Sequence, residues 1–157
     1  MSGYEDDVLA WSEHQATLLR HVAAGDRLPA NDIPDWTNII DEVESVGRSQ
    51  LSAVRSLLTQ ALLHDLKIVT WPLSRDIPHW RAEARGFRDD ALEAFTPSMR
   101  NKIDVAALYA KALNRLPDSM DGLPGLPVPT ACPVTLDNLF LEYPHPGHPT
   151  GPLAPSA

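Results

Sequence analysis

Residues 35–70 read DWTNIIDEVESVGRSQLSAVRSLLTQALLHDLKIVT, and the period of this stretch decides the fold. Trp36 is set at zero and 100° is added per residue. Ile40, Val43, Gly47, Val54, Leu58 and Ala61 then fall within about 40° of it, which is the stripe of an amphipathic helix. Leu57 and Leu62 flank the stripe and Leu63 lies opposite, so the second half is apolar nearly all round. Such a helix runs through the middle of a domain. Asp32 or Asp35 can cap it and Pro34 suits a first turn. As one piece it would span about 50 Å, against roughly 40 Å for a round globule of this length, so a bend at Gly47 and Ser49 is expected.

Outward from this element, the same period recurs. Val8, Trp11, Leu18 and Val22 mark an earlier helix that ends at Gly25, with Asp6 and Asp7 near its positive end. After Trp71-Pro72, which stops the long helix, Pro78 opens a third with Trp80, Ala84, Phe87, Ala91 and Phe95 on one face. Thr96-Pro97 is a cap followed by a first residue, so a fourth helix is expected from about Pro97 to Leu116. Its buried face would be Met99, Ile103, Ala106, Ala110 and Leu113. Residues 117–131 hold four prolines and two glycines and should wander over the surface. A short helix follows Thr135. The expected architecture is all-α: an antiparallel bundle of four main helices with a short C-terminal helix. Residues 1–141 would form a single helical domain, and 142–157 an extended Pro-rich tail. The expected core is Trp11, Leu18, Trp36, Ile40, Val43, Val54, Leu58, Ala61, Trp80, Phe87, Ile103 and Leu113.

Composition narrows the function classes. The chain has 157 residues, 43% hydrophobic and 22% charged, which suits a folded domain rather than a disordered one. No apolar run reaches the length of about eighteen residues that a membrane span needs. MSGYEDDV lacks the basic and apolar regions of a signal peptide, and the lone Cys132 fits a reducing compartment, so a cytoplasmic protein is expected. The net charge of −8 argues against a protein that coats nucleic acid. The charge is uneven: residues 1–50 carry ten acids and three bases, residues 51–116 seven acids and ten bases.

Catalytic signatures are missing: no phosphate-binding glycine loop, no G-x-S-x-G, no H-E-x-x-H and no two E-x-x-H pairs on facing helices. No metal and no cofactor is expected. The polar residues worth following lie beside the apolar stripe. Asp65 falls about 20° from Trp36 on the wheel, Glu44 at about 80° and His64 at about 280°. An inward Asp65 needs a partner. Arg81, Arg85 and Arg88 run down one side of the third helix and offer it one.

The pieces Tyr4-Glu5-Asp6-Asp7…Trp11, Asp35-Trp36…Asn38-Ile39-Ile40-Asp41-Glu42-Val43-Glu44-Ser45-Val46-Gly47-Arg48-Ser49, Leu62-Leu63-His64…Leu66-Lys67, Trp80-Arg81 and Cys132-Pro133-Val134-Thr135-Leu136 resemble the bacterial family called domain of unknown function twenty-nine. The resemblance runs in order over roughly residues 4–141, and Glu44 to Ser49 is its most specific part. The family usually has Glu where this chain has Asp41 and Gln50. The resemblance implies an all-helical, soluble bacterial protein and no particular activity. The residues it singles out are Glu42, Glu44, Arg48, His64 and Trp80.

Three functions follow as expectations. The first is a small acidic interaction or regulatory module that binds another protein. The second is an enzyme or small-ligand binder with a site between the long and third helices, built on His64, Glu44, Asp65 and Arg81. The third and weakest is nucleic-acid binding through Arg81, Arg85 and Arg88. Glu42, Arg48, Trp80, Arg85 and Arg88 are further contact candidates for a ligand or partner. A homodimer stays open.

Overall fold

The computed structural model describes Tyr4, Glu5 and residues 7–141, so the Pro-rich segment expected at 142–157 lies outside the described residues. Within them the chain is helical: α1 (Val8–Ala24), α2 (Trp36–Thr70), α3 (Ile77–Ala94), a 3-10 turn at Pro97–Lys102, α4 (Val105–Arg115) and α5 (Leu136–Leu141). A hairpin of two-residue strands, β1 (Ser119–Met120) and β2 (Leu123–Pro124), pairs Ser119 with Pro124 and Met120 with Leu123. No described helix is long and apolar enough to cross a membrane. Contacts gather the chain into two compact units, Met1–Ser49 and Gln50–Ala157. The boundary falls two residues past Gly47, where a bend was expected, and α2 is one unbroken helix through it.

In the first unit, α1 and the start of α2 form an antiparallel hairpin. Asp7 caps α1 by accepting from the Ala10 amide at 2.9 Å. At the other end Gly25 takes φ 78°, and the amides of Gly25 and Asp26 donate to Val22 and His21. That left-handed cap admits a glycine without strain. Trp11, Gln15 and Leu18 are the buried residues of α1. Polar contacts join the segments at named points. Trp11 Nε1 donates to Asp35 at 3.3 Å, the Asp35 amide donates to Gln15 Oε1 at 2.8 Å, and the Tyr4 hydroxyl donates to Glu42. His14 meets Asp32 at 3.0 Å.

This packing corrects part of the expected core. Trp36, Ile40 and Val43 are exposed at 49%, 53% and 70%. The half-buried residues of that stretch are instead Asn38, Ile39, Glu42 and Ser45, on a different side of the helix. The wheel finds the apolar side of a helix. It does not say which side the chain itself will cover; here Trp11 and Gln15 of α1 bond Asp35 at the start of α2, and the covered side is that of Asn38, Ile39, Glu42 and Ser45.

The second unit carries the main core. Val54, Leu58, Leu62, Leu63 and Leu66 of α2 pack with Ala91, Met99, Ile103, Leu108, Tyr109, Ala112, Val134, Leu136 and Leu139. A smaller cluster joins Ile68, Trp71 and Trp80. The second half of α2 is buried from Ala61 to Leu66 without a break, which the all-round apolar pattern anticipated. Phe87 and Leu113, expected in the core, are half-buried.

The fourth helix also departs from expectation. Pro97 does open a turn, but it is a 3-10 turn that ends at Lys102, and α4 restarts at Val105. Asp104 is the reason: its carboxylate accepts from the Ala107 amide at 3.2 Å and caps a new helix. Restarting resets the register. Leu108, Tyr109 and Ala112 therefore face inward, while Ala106 and Ala110 are exposed.

Residues 117–131 are anchored at named points despite their irregularity. The Leu126 amide donates to the Thr70 carbonyl at 2.9 Å, Trp71 Nε1 donates to the Leu123 carbonyl at 3.2 Å, and the Tyr109 hydroxyl donates to the Pro129 carbonyl at 2.6 Å. A Cβ on Gly125 would lie 2.1 Å from Thr70 Cγ2, so only glycine lets this strand of chain pass over the end of α2. Short α5 would be marginal alone. It is held by buried Leu136 and Leu139, by Phe140 edge-on to Phe95 at 5.0 Å, and by an Arg100–Asp137 ion pair at 2.8 Å.

Candidate functional site

The second half of α2 runs antiparallel to α3, and the register is read from two contacts. Lys67 Nζ lies 6.0 Å from the Trp80 ring, and His64 meets Glu83. His64 is 8% exposed. Its Nδ1 faces the Gln60 carbonyl at 2.8 Å and its Nε2 faces Glu83 Oε2 at 2.7 Å. A carbonyl and a carboxylate both accept, so each ring nitrogen faces an acceptor. The same Glu83 oxygen lies 3.4 Å from Nε2 of the exposed His79. Phe87 stacks against the His64 ring at 5.5 Å between centroids. The arrangement is an imidazole–carboxylate pair with a second imidazole at its solvent side.

One turn inward lies the buried ion pair. Arg88 donates through Nη2 to Asp65 Oδ2 and through Nε to the Leu139 carbonyl at 2.8 Å. Asp65 is 1% exposed and Arg88 4%. The expectation that an inward Asp65 would meet an arginine of the third helix is met by Arg88. That pair ties α2, α3 and α5 together, and its partners are consumed in doing so.

The sequence candidates therefore separate. His64, Asp65, Trp80, Arg81, Arg85 and Arg88 belong to the second unit, and Glu42, Glu44 and Arg48 to the first. Glu44 pairs with Arg48 one turn away at 3.2 Å on the exposed surface. Glu42 accepts from Tyr4 and from Ser45 Oγ, the latter at 3.3 Å. That hydrogen bond raises the Tyr4 phenol above its usual value, and burial and the charges of Glu42 and Asp41 push the same way. Arg85 is exposed and Arg81 half-buried, and neither makes a side-chain hydrogen bond or ion pair among the described residues. Because Arg88 turns into the core, the three arginines do not form one basic face. The residue the sequence reading missed is Glu83. It sits at i+4 from His79, but its meeting with His64 depends on the α2–α3 register, which no local pattern states.

Two surface features fall outside the candidates. A cleft of about 650 Å³ lies between the Thr70–Asp76 turn and the β1–β2 hairpin, lined by Trp71, Leu73, Arg75, Met120, Asp121 and Leu126. His64 and its neighbours do not line it. The other is the row Trp36, Ile40 and Val43 along the first half of α2, exposed between 49% and 70%. Among the described residues no group of three or more His, Cys, Asp or Glu is arranged to hold a metal ion.

Comparison with known proteins follows the same outline. A solved structure, described as an alpha-helical protein of unknown function from Rhodospirillum rubrum ATCC 11170, shares 26% sequence identity. The match covers 91% of this chain and 92% of that one, with a TM-score of 0.65. No curated protein matches the chain. The family model for domain of unknown function DUF29 matches residues 3–143, across both units and all five α-helices, and the chain belongs to that family.

Proposed function

We propose that this chain is a bacterial, cytoplasmic interaction module whose working surface is the exposed apolar row on the first half of α2. The observation that carries the reading is the exposure of Trp36, Ile40 and Val43 on one side of a helix that the chain holds by its other side. A row of three large apolar side chains in water is a feature of surfaces that bind other proteins. The bacterial source of the solved relative and the single cysteine, free among the described residues, support the setting.

A photo-crosslinking residue placed at position 43, in cells that express the full chain, tests it. The same residue at exposed position 53 is the control. Adducts with another protein at 43 and not at 53 are expected. No adduct at 43, or the same adducts at both, would remove the reading. A second reading, acid–base or ligand chemistry at His64, is favoured by its contact with Glu83. It requires that His64→Gln lose a binding or turnover that Val43→Glu retains.

A further inference from the structure

The exposed row has the geometry of a helix-pairing seam. Positions 36, 40, 43 and 47 are separated by four, three and four residues, the spacing at which two helices interlock side chains. The first three are Trp36, Ile40 and Val43, all exposed. The fourth is Gly47, and no atom lies within 4 Å of where its Cβ would stand. A glycine inside a helix is unfavourable relative to alanine. Among the described residues nothing uses the space that Gly47 leaves. A second helix lying along the row would use it, because its backbone could approach closely there.

Charge selects between occupants of that row. Residues 1–49 hold ten acids and only three bases, Arg20, Arg27 and Arg48. Arg48 is already paired with Glu44, which borders the row. A second copy of the chain would lay its own Asp41 and Glu44 against these, and like charges brought together oppose association. A helix with lysine or arginine beside its apolar face meets the same surface with complementary charge.

We infer that the occupant is an amphipathic helix of a different protein, apolar at three- and four-residue spacing and basic along its flanks. This rests on the interaction reading and names the partner's chemistry. Trp36 is the natural probe, since Trp11, Trp71 and Trp80 are each 7% exposed or less. The full chain is titrated with two synthetic helical peptides of about three heptads, one with leucines on the seam and lysines on the flanks, the other with glutamates on the flanks. Acrylamide quenching of Trp36 is followed, with Trp36→Phe as the signal control.

The lysine-flanked peptide should protect Trp36 saturably. Its affinity should fall about tenfold between about 50 and about 300 mM salt, as screening shortens the reach of the acids. Val43→Glu and Gly47→Leu should each weaken it by about tenfold or more, with helix content unchanged. Equal binding of both peptides, binding of neither, or a dimer of the chain that shields Trp36 by itself would overturn the inference. Failure here and failure of the interaction reading are distinguishable. A crosslinked partner at position 43 whose contacting segment is not a basic helix removes only the partner's chemistry. No crosslink at all removes the reading beneath it.

Discussion

Replacing Asp65 or Arg88 singly should be far worse than replacing both. Arg88 is 4% exposed and its guanidinium has two recorded acceptors, Asp65 and the Leu139 carbonyl. Asp65→Leu leaves that cation in the core beside a lone carbonyl, and breaking a buried pair this way costs about 3–5 kcal/mol. Arg88→Met takes the cation away from a buried carboxylate and releases the Leu139 carbonyl, for a similar loss. In Asp65→Leu/Arg88→Met both charges leave together, and a buried pair replaced by apolar groups is often close to neutral. The uncapped Leu139 carbonyl remains, so the double variant should lose only about 1–2 kcal/mol. With a urea m-value of about 2 kcal/mol/M, the single midpoints drop by about 1.5–2.5 M and the double by less than about 1 M. Urea unfolding followed by tryptophan fluorescence and circular dichroism reads all three. Asp65→Asn keeps an acceptor for Arg88 and should fall between the single variants and the wild type. A double variant whose loss equals the sum of the singles, or singles that cost under about 1 kcal/mol, would show that the pair is screened by solvent and does not join α2, α3 and α5.

Three further outcomes are expected. Gly125→Ala should destabilise by about 1–3 kcal/mol in thermal melts, because the new methyl meets buried Thr70, whose hydroxyl is tied to the Leu66 carbonyl at 2.6 Å. Gly86→Ala, where nothing lies within 4 Å of the added carbon, should stabilise α3 by about 0.5–1 kcal/mol in the same assay. The first unit should loosen in acid. Hydrogen bonds from Asn38 hold the Asp35 carboxyl below its ordinary value of 3.8, with a further bond from Trp11. A carboxyl depressed in the folded state adds stability above its unfolded value and loses it as pH falls through the folded one. The protection of α1 amides from hydrogen exchange, taken relative to the intrinsic rate at each pH, should therefore fall below about pH 4, and Asp35→Asn should flatten that response.

Much of the fold is visible in local pattern. The boundaries of α1 and α3 follow from Asp7, Gly25 and Pro78. The buried second half of α2 follows from a run in which Leu57, Leu58, Leu62 and Leu63 point in every direction. The break between the 3-10 turn and α4 was there to be read too, as Asp104 three residues before Ala107. The stronger signal of Thr96-Pro97 concealed it, since both are helix starts and a wheel drawn across them assumes one register.

Other features had no local sign. His64 and Glu83 are nineteen positions apart, and their meeting is set by how the Trp71–Asp76 turn reverses the chain. Three arginines spaced along one side of α3 look equivalent on a wheel. Which of them enters the core depends on where Asp65 and the Leu139 carbonyl come to lie.

The sequence by itself determined α1, α2 and α3 and their apolar sides, because period, caps and prolines act within a few residues. Only the tertiary structure decided which side α1 would cover and which arginine would be buried. Those outcomes depend on the geometry of hydrogen bonds between distant segments, on Asp35 with Trp11 and Gln15, and on Arg88 with Asp65. Hydrophobicity drives burial without direction, whereas these bonds have direction. The first half of α2 is covered on the side of Asn38, Ile39, Glu42 and Ser45, and Trp36, Ile40 and Val43 face outward.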